Sequence, residues 1–214
     1  MKTFIIVIVV FVLAVVGLVV LSRNDSSQKS EFKLDSISPL DHVKGNASST
    51  VVLIEYGDFQ CPACRAYYSV LRELSQTYGD KMVFVYRHFP LKQIHFNAEP
   101  AAWASEAASH QSKFWEMHNL LFEKQEEWSQ ASDLKTVFGD YATIIGLDKE
   151  KFIADLSSKE VKNFVNNERH SGEKAGFSST PTFVLNGKKI ENPQSLDAFK
   201  ILINKAIKDS VNKK

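Results

Sequence analysis

The stretch Val51-Val52-Leu53-Ile54-Glu55-Tyr56-Gly57-Asp58-Phe59-Gln60-Cys61-Pro62-Ala63-Cys64 organises the reading of the whole chain. Its β-branched opening, Val51 to Ile54, is closed by Glu55, Tyr56, Gly57 and Asp58, which predicts a buried strand followed by a turn. Pro62 can begin a helix, because its missing N–H would have no partner at that position anyway. Tyr67, Val70, Leu71 and Leu74 continue at helical spacing until Gly79 stops the pattern. Met82-Val83-Phe84-Val85-Tyr86 reads as a second strand, so residues 51–86 predict a βαβ unit with parallel strands.

Beyond that unit the pattern turns helical. Phe114, Met117 and Leu121 share a face, and Leu134, Val137, Phe138, Tyr141, Ala142 and Ile145 form another, with Ser132 as the expected cap and Gly146 as the stop. Phe152 with Leu156, then Val161, Phe164 and Val165, predict two further short helices. Thr182 to Ile190 predicts a hairpin, since Asn186-Gly187 is the preferred pair for a type I′ turn. Leu196, Phe199, Ile203 and Ile207 make a last amphipathic helix behind Ser195. The order βαβ, helical block, ββα predicts an α/β fold, a mixed sheet flanked by helices on both faces, with an all-helical subdomain inserted at about residues 94–176.

In the other direction, Phe4 through Leu21 is an unbroken run of 18 apolar residues. As a helix it spans roughly 27 Å, close to the hydrocarbon thickness of a bilayer. A secretory signal would have an apolar region of about 7–15 residues and an A-x-A-like cleavage site. Val20-Leu21-Ser22 is a poor match, and no cysteine follows to carry a lipid. Residues 1–22 are therefore expected to be an N-terminal transmembrane anchor, with a cleaved signal and a secreted or periplasmic product as the alternative. Residues 23–40, polar and serine-rich at their start, read as a tether, and residues 41–214 as the folded domain. Only Lys2 precedes the run, while Arg23, Lys29, Lys33 and Lys44 follow it, so the positive-inside count does not favour export. Long domains translocate largely regardless of charge, and the cysteine chemistry favours an oxidising side. Lys+Arg 26 against Asp+Glu 25 leaves no basic excess, which argues against a nucleic-acid partner.

The chain has two cysteines, too few for a multi-bridge scaffold or a four-thiolate zinc site. Cys61 and Cys64 sit where the first strand hands over to its helix. There the unpaired N–H groups and the helix dipole stabilise a thiolate, the reactive form of the side chain. Cys61 is thus expected to have a pKa in the range of roughly 3.5–7.5 found at such sites, with Cys64 one turn on, placed to resolve a mixed disulfide. As a structural staple the pair would close a very short loop, which contributes only roughly 2 kcal/mol. As half of a zinc site it would need two more ligands, such as His88 and His95. Of the other histidines, His118 reads as a satisfied core residue.

These residues, in order, resemble a known family. Gly45 to Tyr68, Tyr86 to Leu91, Ala98 to Phe122 and Ser179 to Gly187 are similar to the DsbA-like thiol–disulfide oxidoreductases, above all their membrane-anchored bacterial members. The resemblance implies a thioredoxin-like fold with the helical insertion. It implies that Cys61 is the substrate-facing nucleophile and Cys64 its buried partner, with Pro62 between them. Pro181 matches the cis-proline of the substrate groove, Thr180 precedes it, and Glu55 matches the buried acid beneath the active site, placed to exchange a proton with Cys64. No metal or organic cofactor is implied, only the redox-active Cys61–Cys64 disulfide. Partners are exported protein thiols as substrates and a membrane quinone-linked redox partner. Strongly oxidising members carry a histidine where this chain has Ala63, which implies a less oxidising potential. The expected function is an extracytoplasmic thiol oxidase held at the cell membrane. A disulfide reductase or isomerase, or a tethered client-binding module, is the alternative.

Overall fold

The computed structural model describes residue 34 and residues 36–212. The expected anchor, residues 1–22, and most of the expected tether lie outside the described residues. Among the described residues no helix is long and apolar enough to cross a membrane.

Five strands, β1 (His42–Gly45), β2 (Val52–Gly57), β3 (Val83–His88), β4 (Thr182–Leu185) and β5 (Lys188–Ile190), form one sheet in the order β1-β3-β2-β4-β5. β2 and β3 are parallel and joined through α1 (Pro62–Tyr78), as the βαβ pattern required; the other pairings are antiparallel. The mixed sheet is therefore as expected, except that β1 was not read from the sequence. The hairpin turn has positive φ at both Asn186 (48°) and Gly187 (78°), as type I′ demands. Asn186 also locks the hairpin to β2, accepting from the Val52 N–H through Oδ1 at 2.8 Å and donating its own N–H to the Val52 carbonyl at 2.9 Å.

Side-chain alternation along the strands sorts two cores. Leu53, Phe84, Tyr86 and Phe183 face α1 and the last helix, α8 (Leu196–Val211), while Ile54, Tyr56, Val83, Val85 and Val184 pack with Phe89 and Phe177 on the other side. Between β3 and β4 lie α2 (Ala98–Ser109), α3 (Phe114–Glu123), α4 (Gln125–Trp128), α5 (Leu134–Ile144), α6 (Lys149–Leu156) and α7 (Lys159–Lys174). This is the inserted helical block. The small, fully buried faces of Ala101, Ala104, Ala107 and Ala108 let neighbouring helices approach α2 closely.

Two local expectations are corrected, and a third is met by a different geometry. Asp133, not Ser132, caps α5, accepting from the Thr136 N–H at 3.1 Å. α7 is 16 residues long rather than short: Ser158 caps it and a mostly polar sequence extends it past its apolar residues. Gly79 ends α1 at φ −60°, still right-handed, and the chain is turned instead by Lys81 and Met82 N–H groups that both bond the Tyr78 carbonyl at 2.8 Å.

Candidate active site

Cys61 occupies the N-cap of α1 with extended backbone (φ −70°, ψ 121°), and Pro62 opens the helix. No side chain caps this end, so the first-turn N–H groups remain available to the sulfur. Both cysteines are thiols, but their surroundings differ. Cys61 keeps 7% of its surface exposed and Cys64 none. A hydrogen bond from the Cys64 thiol lowers the Cys61 pKa to about 5 against the opposing effect of burial. The Thr180 side chain and the backbone N–H groups of Ala63 and Cys64 assist. Burial, and then donation to Cys61, hold the Cys64 thiol well above its usual range. The pair is therefore polarised into one thiolate and one thiol.

The turn before β4 closes over the outer sulfur. The Thr180–Pro181 bond is cis, and the Thr180 carbonyl oxygen stands 3.5 Å from Cys61 Sγ, where it can accept only while Cys61 is protonated. The Thr180 hydroxyl is buried. Below the pair, Glu55 projects from the central strand β2 on the α1 side of the sheet. It is 1% exposed, and its Oε1 is without a partner. Desolvation raises its pKa to about 8, with the charge on Cys61 adding to the effect. A cavity of about 20 Å³ reaches Glu55 and is lined further out by Lys44, Ser75 and half-exposed Arg72. One water needs roughly 10–15 Å³, so the cavity has room for a water near the carboxyl.

Two features of the site were not legible in the sequence. Asp58, which reads there only as a turn residue, is 2% exposed and serves as a hub. Its carboxylate accepts from the Gln60 N–H (2.7 Å) and the Leu91 N–H (2.9 Å), and pairs with His95 Nδ1 (2.7 Å). That bond raises the His95 pKa against partial burial, and the nearby Cys61 charge adds to it. The second is Gln125, whose Nε2 donates to the Phe59 (2.6 Å) and Cys61 (3.0 Å) carbonyls and so ties the helical block to the approach to α1.

Residues 38–205 match the family Thioredoxin_4, described as thioredoxin. The chain belongs to that family. Among solved structures, BdbD from Bacillus subtilis is 26% identical with a TM-score of 0.69, over 78% of this chain and 93% of that one. α-DsbA1 from Wolbachia pipientis, at 23% identity and a TM-score of 0.73, covers 83% and 96% and shares the fold. The DsbA-like likeness read from the sequence is borne out at the level of family and fold. Among curated relatives, the Na(+)/H(+) antiporter NhaA 1 of Mycobacterium sp. (strain KMS) is 38% identical over 157 residues, or 72% of this chain. The chain spans about a quarter (24%) of the length of that relative, and the antiporter name describes the longer protein.

Within this Thioredoxin_4 domain the structure brings together all six residues singled out for the site: Cys61, Pro62 and Cys64 at the helix start, Thr180 and Pro181 against them, and Glu55 beneath. The two histidines offered as partners for a cysteine-bound zinc go elsewhere, His95 to Asp58 and His88 toward His42 and Glu106. His118 is a core residue, 5% exposed, but only half satisfied: Nδ1 meets Asn119 Oδ1 at 3.2 Å and Nε2 has no partner.

Proposed function

We propose that this protein is an extracytoplasmic thiol oxidase that donates the Cys61–Cys64 disulfide to exported proteins. The observation that carries the reading is the asymmetry of the pair: an approachable sulfur stabilised as thiolate beside a fully buried one held as thiol. A client thiolate attacks Cys61 Sγ, the Cys61–Cys64 bond breaks, and Cys64 departs and takes a proton, which Glu55 is placed to supply. A second client thiolate then attacks the client sulfur of the mixed disulfide and expels Cys61. The client leaves with a disulfide, and the two electrons remain on the reduced protein. Because Cys61 is stable as a thiolate, it is a good leaving group, which favours release of oxidised client. No metal or organic cofactor enters these steps, and a membrane quinone-linked partner would take the electrons back.

The apolar run Phe4 to Leu21 and the polar stretch after it support a tethered domain on the outer side of the cell membrane. The reductase or isomerase reading rests on Ala63, which supplies no cation to Cys61; His95, raised in pKa and coupled to Cys61, argues against it.

Two measurements test the proposal. In cells, Cys61→Ser abolishes disulfide donation, while Cys64→Ser accumulates mixed disulfides with exported proteins; full activity in both variants excludes the mechanism. In glutathione buffers, a reduction potential near about −120 to −180 mV supports donation, whereas one near about −270 mV puts the reductase reading ahead. A double Cys→Ser variant that keeps its cellular function would leave the client-binding module.

A further inference from the structure

The histidines His42 and His88 and the carboxylates Glu106 and Glu168 form a second cluster that the exchange reaction does not use. β1 and β3 are antiparallel neighbours with His42 opposite Tyr86, and His88 follows Tyr86 by two residues, on the same face. The two imidazoles therefore lie side by side, ring centroids 6.2 Å apart. Glu106 reaches them from α2 and Glu168 from α7. Glu106 Oε2 stands 2.6 Å from His42 Nε2 and 3.7 Å from His88 Nε2, and Glu168 Oε2 stands 3.9 Å from His88 Nε2. The ligand atoms of His42, His88 and Glu106 all lie within 4.8 Å of one another.

Hydrogen bonding alone explains only half of this cluster. The His42–Glu106 contact is a good charge-assisted bond, and Glu106 Oε1 accepts from Ser109 Oγ at 3.1 Å. His88, however, is fully buried with neither ring nitrogen bonded, and Glu168, also fully buried, has a bare Oε1. At 3.7 and 3.9 Å the carboxylates are too far from His88 for hydrogen bonds. Buried polar atoms of native proteins are rarely left so, and an ion is one of the standard explanations. Tetrahedral ligands held at about 2.0–2.2 Å from an ion sit roughly 3.3–3.6 Å from each other; the two carboxylate contacts to His88 are close to that, while the 2.6 Å His42–Glu106 bond would have to open and Glu168 would have to move in to complete the set.

We propose that His42, His88 and Glu106, with Glu168 completing the set, bind one divalent transition-metal ion of the zinc type. Two imidazoles and two carboxylates suit zinc, whereas calcium and magnesium take oxygen ligands. The ion would neutralise two buried carboxylates and give His88 its missing partner. Outer contacts that orient ligands in metal sites are already in place: the His42 ring stacks on Phe114 at 3.5 Å, Ser109 holds Glu106, and the His88 N–H holds Glu168 Oε2 at 2.6 Å. His42 keeps a side-chain exposure of 13%, which gives the ion a way in. Since two ligands come from the sheet and two from the inserted helices, the bound ion would staple these layers together.

The test uses the full-length protein with Cys61 and Cys64 oxidised, so that no thiol competes. Calorimetric titration with zinc chloride should give one ion per chain and raise the midpoint of thermal unfolding. His42→Ala and Glu106→Gln, checked for native circular dichroism, should each weaken zinc binding at least tenfold. Cobalt(II) bound in place of zinc should show tetrahedral visible bands without a sulfur charge-transfer band, a readout that stands even if a variant does not fold. The proposal is overturned if the oxidised chain shows no saturable zinc binding, if calcium binds there and zinc does not, or if both variants bind zinc like the parent.

Discussion

Cys61 titrates near pH 5 rather than near 9, so alkylation of the reduced protein by iodoacetamide should follow a single thiolate with a midpoint near pH 5. His95 belongs to that balance, because its bond to Asp58 raises its pKa and the Cys61 charge adds to the rise. His95→Gln is expected to move the alkylation midpoint upward and to lower the reduction potential by about 30 mV for each pKa unit gained. An unchanged midpoint would show that the two groups are not coupled. Glu55 works in the opposite sense. Its pKa is raised from 4.5 to about 8, so the folded chain keeps a proton that the unfolded chain has released. Its contribution to stability is therefore present below about pH 4.5 and lost as pH rises toward 8. Glu55→Gln removes that loss. In urea unfolding of the reduced protein, the variant should gain on the parent by at least about 1.4 kcal/mol between pH 5 and pH 9, and by less in the oxidised protein, where no Cys61 charge adds to the shift. Cys61, Pro62 and Cys64 were legible because they are contiguous and sit at a strand-to-helix junction. The Asp58–His95 and Gln125–Cys61 contacts were not, since they join loops and helices whose meeting depends on the finished fold.

Strand β1 illustrates what an element needs beyond its own pattern. His42-Val43-Lys44-Gly45 is short, polar and at a sheet edge, with no alternation long enough to read, and it forms because β3 offers it a free side. Its end depends on Gly45. With φ at +93° and room for a Cβ only 2.5 Å from the Met82 carbonyl oxygen, no other residue fits without displacing backbone. Gly45→Ala should destabilise the protein by about 1–3 kcal/mol, measured by chemical unfolding, and a neutral result would mean that β1 can shift in register. The elements that were legible, β2, α1, β3 and the 182–190 hairpin, combine strong periodicity with explicit turn residues. The length of α7 was hidden because its C-terminal half carries few apolar residues.

Across the whole molecule, the segment leading into β1 is fastened to the centre of the fold by charge. Arg87 on β3 donates from Nε and Nη2 to the two oxygens of Asp41 at 2.7 and 2.8 Å, and from Nη1 to Tyr56 at 3.0 Å; both charged side chains are fully buried. Asp41→Ala strands the guanidinium and should cost about 3–5 kcal/mol in urea unfolding, while an Asp41→Leu/Arg87→Met double variant should recover most of that. The layer order was legible from the succession of strands and helices, but this fastening was not, because it links residues far apart in sequence. Arg72, at the outer end of the cavity that reaches Glu55, lies three turns of α1 beyond Cys61, roughly 16 Å at about 1.5 Å per residue. A client seated over Cys61 thus blocks one doorway and leaves the other open. In the oxidase reaction proposed above, electrons arrive through the occupied doorway, and the free one is the route by which Glu55 would trade protons with bulk water, so neither would have to wait for the other to clear.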